Sequence, residues 1–456
     1  MATPSASKRI WGWYFFDFAS QPYNTLLLTF VFAPYFATVV GDPAKAQEMW
    51  GWTLAAAGFV IAILAPILGA IADTTGRRMP WIVVFSVLYV AGSAALWFAY
   101  PGMGDVWWIL ALFALGLVGM EFATIFTNAM LPGLGPKEEI GRISGSGWAF
   151  GYVGGLVSLV VVLLYLAENA DGVTLLGRPP AFGLDPETRE GTRLVGPLTA
   201  AWYVVFMIPF FAWVREVPPA APRQEPLGAS VRQALADLGR TLRLLPRRQS
   251  LMAFLLSSMF YRDALNGFYA FGGIYARGVL EWSVVDVGVF GILAVIAGAV
   301  FAWVGGRIDR AFGPKPVIAG AIATLTIVAV AVVLISRESV FGLPVGPGSH
   351  LPDIAFYVCG ILVGAAGGML QASSRTMLVR QADPARMTEA FGLYALTGKA
   401  TSFLAPASIA AMTAATGSQV WGVSPLIALF LLSAWLLRGV DPEGEGQERW
   451  SPQPGA

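Results

Sequence analysis

The sequence predicts an all-α integral membrane protein: twelve transmembrane helices in two six-helix, pseudo-symmetric bundles. Three observations carry that prediction. Of 456 residues, 56% are hydrophobic and only 12% charged, with a mean hydropathy of +0.65; a soluble globular chain carries about 25% charged residues. Apolar stretches of about 20 residues, enough to cross roughly 30 Å of hydrocarbon, recur from end to end. Motifs of the first half also return in the second, offset by about 247 residues.

The stretches fall near 11–40, 50–72, 80–100, 106–131, 144–166, 197–214, 250–276, 284–304, 315–336, 353–378, 389–414 and 420–437. They are expected to be helical, because a lipid-exposed strand leaves its backbone groups unsatisfied, and the alternation of a membrane barrel is absent. The first stretch is too long for a signal peptide and has no small-residue cleavage site after a short core. Counting Lys and Arg by connection puts 20 on one side, including Lys8, Arg77, Arg142, Arg310, Arg380 and seven arginines from Arg215 to Arg248. The other side holds six. The rich side is read as cytoplasmic, with both termini on it and the protein in the cell inner membrane.

The predicted organisation is a first bundle (1–215), a linker (216–249), a second bundle (250–438) and a disordered tail (439–456). Pro218, Pro219, Pro222 and Pro226 open the linker, and the arginine-studded run Val231 to Leu245 reads as an interfacial amphipathic helix.

Several function classes are excluded. A net charge of +1 gives no polycationic surface for nucleic acid. Cys359 and His350 are each the sole residue of their type, so no internal disulfide, His-rich metal centre or buried His relay is expected. No Ser/His catalytic constellation, metal-ligand cluster or Gly-Lys-Ser/Thr phosphate loop is present. No enzymatic activity, cofactor or built-in ATP motor is expected.

After span two comes Gly69-Ala70-Ile71-Ala72-Asp73-Thr74-Thr75-Gly76-Arg77-Arg78; after span eight comes Gly305-Gly306-Arg307-Ile308-Asp309-Arg310-Ala311-Phe312-Gly313-Pro314-Lys315. Glycines allow close helix approach, and each aspartate can meet a helix N-terminus or an arginine. Gly69, Asp73, Gly76, Arg77, Arg78, Gly305, Asp309 and Lys315 are therefore candidate gating residues. At the 247 offset Asn128-Ala129-Met130-Leu131 answers Arg375-Thr376-Met377-Leu378, Gly145 answers Gly392 and Gly151 answers Gly398, while Asp17 and Asp263 differ by 246. Parallel repeats of this kind predict a substrate cavity between the halves near the midplane.

The doubled loop motif resembles that of the major facilitator superfamily. A narrower resemblance rests on Trp13-Tyr14-Phe15-Phe16-Asp17-Phe18-Ala19-Ser20-Gln21-Pro22-Tyr23-Asn24, on Ser144 to Gly155, on Phe260-Tyr261-Arg262-Asp263-Ala264 and on Gly367 to Arg375. These segments look like the branch of autophagy-linked vacuolar amino-acid effluxers and their bacterial relatives. Span seven of that branch usually reads Tyr-x-Asp-Gly, whereas Ala264 follows Asp263 here. The resemblance implies a secondary transporter of amino acids or related zwitterions.

Ionisable residues inside spans are costly and are default functional candidates. From a rise of 1.5 Å per residue, Glu121 lies roughly 21 Å into span four, Asp263 about 20 Å into span seven and Lys399 roughly 15 Å into span eleven. Asp17 is about 12 Å from the cytoplasmic edge, followed by the polar run Gln21, Tyr23 and Asn24. Asp17, Gln21, Asn24, Glu121, Tyr152, Arg262, Asp263, Gln371, Arg375 and Lys399 are the candidate substrate-binding or ion-coupling residues. Arg262 and Asp263 are neighbours and so point about 100° apart, one toward the cavity and the other toward an adjacent helix. For Arg375, about 32 Å along span ten, snorkelling to the inner interface is the alternative.

The reading is a secondary active transporter of a small organic solute, amino acids favoured, working by alternating access as a monomer. H+ is the expected coupling ion and Na+ the other. A cation-coupled sugar carrier or a non-transporting membrane receptor are the alternatives.

Overall fold

The computed structural model describes residues 4–169, 171–216, 227–346 and 348–445. The linker prolines Pro218, Pro219, Pro222 and Pro226 and the tail beyond Glu445 lie outside the described residues.

Span one is assembled from three pieces: α1 (Ala6–Pro22), a π-helical stretch (Tyr23–Phe30) and α2 (Phe32–Val40), with a 45° bend before α2. Then come α3 (Pro43–Thr75), α4 (Met79–Ala95), α5 (Trp107–Asn128), α6 (Ile140–Tyr165), the short α7 (Glu190–Arg193) and α8 (Val195–Trp213). The connection contributes α9 (Leu227–Leu244). The second half runs α10 (Gln249–Gly278), α11 (Val284–Phe312), α12 (Pro314–Val333), α13 (Leu351–Gln381), α14 (Met387–Ala400), α15 (Leu404–Thr416), the short α16 (Gln419–Gly422) and α17 (Pro425–Leu437). One hairpin, β1 (Ser339–Val340) with β2 (Leu343–Pro344), joins α12 to α13.

Local chemistry sets these boundaries. Asp42 accepts the amides of Ala44 and Lys45 to start α3, with Pro43 as its first residue. Gly76, at φ +66°, ends it. Ser283 and Asp286 form a reciprocal cap on α11. Among the described residues nine helices are long and apolar enough to cross a bilayer, or ten with the bent pair of span one. The seventh place belongs to α10, whose Ser257, Ser258, Arg262, Asp263 and Asn266 dilute its hydropathy. The eleventh belongs to α14 and α15 together: the single helix expected over 389–414 is interrupted at 401–403. Pro406, without an N–H, sits in the first turn of α15, where a proline is tolerated and a continuous helix is not. Outward-facing positions carry large apolar side chains such as Phe59, Ile208 and Ile327, as a lipid-facing surface requires.

The chain divides into two compact units. The first holds residues 1–130 and 150–231; the second holds 131–149 and 232–456. The division at 231/232 falls within the expected linker 216–249, and the segment 131–149, with the first ten residues of α6, belongs to the second unit. Residues 441–445, at the start of the expected disordered tail, are held by specific contacts. Lys315 donates to the Val440 carbonyl at 2.6 Å, Gln381 to that of Asp441 at 2.6 Å, and Glu445 accepts the Ser250 amide at 3.0 Å. Glu443 pairs with both Lys137 (2.6 Å) and Arg380 (2.8 Å). The acidic, glycine-containing composition reads as solvated chain, but its carboxylates find fixed cations.

Candidate functional site

In the first unit, spans one and five come together through glycines of α6. An ideal Cβ on Gly151 would lie 3.3 Å from the Asp17 Cβ, and one on Gly155 would lie 2.9 Å from the Gln21 Cγ. Asp17 and Gln21 are therefore held against the helix that carries Tyr152, and all three are half-buried. Asn24 falls in the π-helical stretch, its carbonyl accepting the Thr29 hydroxyl at 2.8 Å. Helices widened in this way recur at functional sites. Trp13, fully buried, donates its indole N–H to the Thr127 carbonyl at 2.9 Å and ties span one to span four. Glu121 is half-buried in α5.

The second unit repeats this plan. Arg262 of α10 lies against Gly398, the counterpart of Gly151, with its Cζ 2.5 Å from where a Cβ would stand. Tyr261 shares a 2.7 Å hydrogen bond with Ser374, the counterpart of Thr127. The 100° separation of Arg262 and Asp263 is expected to aim one at the cavity and the other at an adjacent helix. Both engage span eleven. Arg262 donates to the Tyr394 carbonyl at 2.8 Å and lies 4.2 Å from the Tyr394 ring centroid, toward the C-terminal end of α14. Asp263, 1% exposed, accepts the Ala405 amide at 2.8 Å, at the N-terminal end of α15. A cation at one helix C-terminus and an anion at the next N-terminus each match the local helix dipole. This bracket explains how an interrupted span survives inside a bundle. Lys399 lies in the last turn of α14, two residues before the interruption.

Arg375 does not snorkel. It is 3% exposed, its Nε 3.2 Å from the Ser144 Oγ and its guanidinium donating to the Ser144 carbonyl at 3.0 Å, with the Trp148 ring centroid 5.0 Å away. Gln371, one turn earlier on α13, is half-buried.

The two loop motifs diverge. In the first, Asp73 pairs with Arg78 of its own loop at 3.0 Å, Gly69 lies buried in α3 and Arg77 is exposed. The Glu216 carboxylate, which the sequence reading passed over, accepts the amides of Arg78 and Met79 and caps α4 from a distance. In the second, Asp309 is 1% exposed and abuts the first turn of α6, where an ideal Cβ on Gly141 would lie 2.5 Å from its Oδ1. Gly306 faces Gly145, Gly305 packs on Met369, and Arg310 pairs with Glu139 at 2.6 Å. Lys315 turns instead to the chain after α17. Ser144, Glu139 and Glu443 were likewise missed, for nothing local in the sequence announces their distant partners.

A family model described as "Vacuole effluxer Atg22 like" matches residues 51–448. The chain belongs to the Atg22-like family. Its similarity to the MFS-type transporter YxiO of Bacillus subtilis (strain 168) is 25% identity over 446 residues, covering 95% of this chain and 94% of YxiO. Autophagy-related protein 22-1 of Penicillium rubens is 26% identical over 313 residues, 62% of this chain; the chain spans about half (48%) of that fungal relative. Among solved structures, the proton:xylose symporter XylE matches with a TM-score of 0.68 at 12% identity, over 96% of this chain and 97% of that one. FucP in its outward conformation matches at 0.66 and 13% identity, over 95% and 97%. At such identities the solved structures establish the fold alone: this Atg22-like chain has the major facilitator fold and is a multi-pass membrane transporter.

Proposed function

We propose that this transporter moves a small organic solute, amino acids or related zwitterions first, across the cell inner membrane by proton-coupled alternating access, as a monomer with its termini cytoplasmic. One observation carries the reading: both repeats hold ionisable residues at equivalent glycine-made contacts, Asp17 against Gly151 and Arg262 with Asp263 around Gly398 and Ala405. Such charges are expensive in lipid, and two matched placements fit paired ligand and ion sites better than packing needs. Asp17 and Glu121 present carboxylates for an amine or a proton. Lys399, with Arg375 when it leaves Ser144, presents cations for a carboxylate; Gln21, Asn24, Tyr152 and Gln371 add polar contacts. The contacts of Gly141 and Gly145 with Asp309 and Gly306 act as the cytoplasmic gate, while Asp73 and Arg78 brace the first loop.

Counterflow in proteoliposomes with a labelled amino-acid mixture tests this, comparing wild type with Glu121→Gln and applying a pH gradient separately. Exchange that survives in the variant while gradient-driven accumulation vanishes supports proton coupling through Glu121. Folded protein that exchanges no amino acid refutes the amino-acid reading, and exchange of a labelled sugar instead establishes the alternative.

A further inference from the structure

We propose that Asp263 and the interruption of span eleven form a binding site for one monovalent cation, a proton or Na+, held on the free Oδ1 of the carboxylate. The inference rests on the reading of the chain as an ion-coupled carrier and names where the ion sits. Asp263 is 1% exposed and its Oδ2 is occupied by the Ala405 amide, whereas Oδ1 is buried with no hydrogen-bond partner among the described residues. A carboxylate offers about four lone-pair positions, and leaving a buried one bare is costly. The N-terminus of α15 supplies roughly half a positive charge, which leaves net negative charge in a closed place.

No side-chain cation of the surroundings completes it. Helices α15, α16 and α17 carry no Asp, Glu, Lys or Arg. On α14, Glu389 lies 3.8 Å from Arg386, and Lys399 sits in the last turn. On α13, Asp353 pairs with Arg337, Arg375 with Ser144, and Arg380 with Glu443. On α11, Asp286 is the cap, Arg307 covers Trp303, Asp309 abuts Gly141 and Arg310 pairs with Glu139. Arg247, before α10, is exposed, and Arg262 is committed to Tyr394. Among the described residues Asp263 makes no ion pair.

The interruption adds oxygen ligands. The Thr401 Oγ1 is also buried and without a hydrogen-bond partner, four residues before the amide that Asp263 accepts. A broken helix releases carbonyl oxygens that a continuous one would consume. One carboxylate with neutral oxygens is a hard, singly charged donor set, which suits Na+ or a proton and lacks the several carboxylates that Ca2+ favours. A close approach holds the geometry, because an ideal Cβ on Gly267 would stand 3.1 Å from the Ala405 Cβ. A cation on Oδ1 neutralises the charge that caps α15, so loading the site loosens the cap. Ion occupancy is thereby linked to the bend of span eleven.

The test needs no substrate. Purified full-length protein is unfolded thermally in NaCl or in choline chloride at equal ionic strength, and its carboxyl infrared band is titrated with pH. If the ion is Na+, saturating NaCl raises the wild-type Tm by about 3 °C or more, and Asp263→Asn abolishes the rise. If it is a proton, NaCl has no specific effect and a titrating buried-carboxyl band disappears in Asp263→Asn. Should that variant fail to fold, Ala405→Pro removes the competing amide at a position where proline is tolerated. Its half-saturating cation concentration should fall at least about 3-fold, since a charge-assisted hydrogen bond is lost. Wild type with neither response, responses retained in Asp263→Asn, or an unchanged half-saturation in Ala405→Pro overturns the site. Failure of counterflow would instead strike the transport reading and leave these measurements standing.

Discussion

Replacing Gly145 by alanine should loosen the contact between α6 and α11. The added Cβ would lie 2.5 Å from the Ala302 carbonyl oxygen and 2.6 Å from the Gly306 Cα, where ordinary contact begins near 3.4 Å. Both neighbours are backbone and cannot rotate away, so the helices must part by about 0.9 Å, the shortfall from that contact distance. Overpacking of this kind costs about 1–3 kcal/mol, while the better helix propensity of alanine returns about 0.5–1 kcal/mol. The net, about 1.25 kcal/mol at the centre of these ranges and about 2.5 kcal/mol at most, shifts the packed contact toward an open one by about 8-fold and at most about 60-fold, at 1.4 kcal/mol per tenfold. Hydrogen exchange of the protein in nanodiscs reads this directly, as faster exchange of peptides covering 141–145 and 302–306. Gly58→Ala is the control: its Cβ would meet nothing within 4 Å, so it should gain only the propensity term and leave those peptides unchanged. Wild-type exchange in Gly145→Ala, or equal loosening by Gly58→Ala, would refute the packing argument.

Glu216→Ala should cost about 0.5–2 kcal/mol, the worth of a lost N-cap, and speed exchange of the amides at Arg78 and Met79; unchanged exchange would show the cap to be idle. Glu443 carries a pH prediction. The hydrogen bond from Lys137, ahead of the charge of Arg380, holds its carboxyl below the ordinary glutamate value of 4.5. Its tether is therefore complete above pH 4.5 and is lost as pH falls through the lower folded value. A nitroxide at position 442 should be immobile at pH 7, mobile in acid, and mobile at pH 7 in Glu443→Gln.

How far the sequence led differs by element. Spans with one long apolar run, such as α3 and α12, were legible from length and hydropathy alone. Span one was legible as a crossing but not as three pieces: Pro22 announces a disturbance, and neither the π-helical stretch nor the bend at Val31 has a local signature. In span eleven, Pro406 after Thr401 and Ser402 did mark the interruption, yet a window counting hydrophobic residues averages across it. That interruption decided the fate of Arg262 and Asp263. Side chains 100° apart suggested one for the cavity and one for an adjacent helix, but a broken helix offers two ends with opposite partial charges, and adjacent residues can serve both. For Arg375, depth along α13 left snorkelling as the alternative, and the Ser144 acceptors that hold it inside come from a segment 231 residues away.

The tie of span one to span four and the tie of span seven to span ten also bear on how the two halves diverged. One uses an indole and a main-chain carbonyl, the other a phenol and a serine hydroxyl. Each half thus joins its first span to its fourth by a buried side-chain hydrogen bond, with a different donor and acceptor in each. Grafting one copy's bridge into the other should succeed only if both partners of the bond travel together.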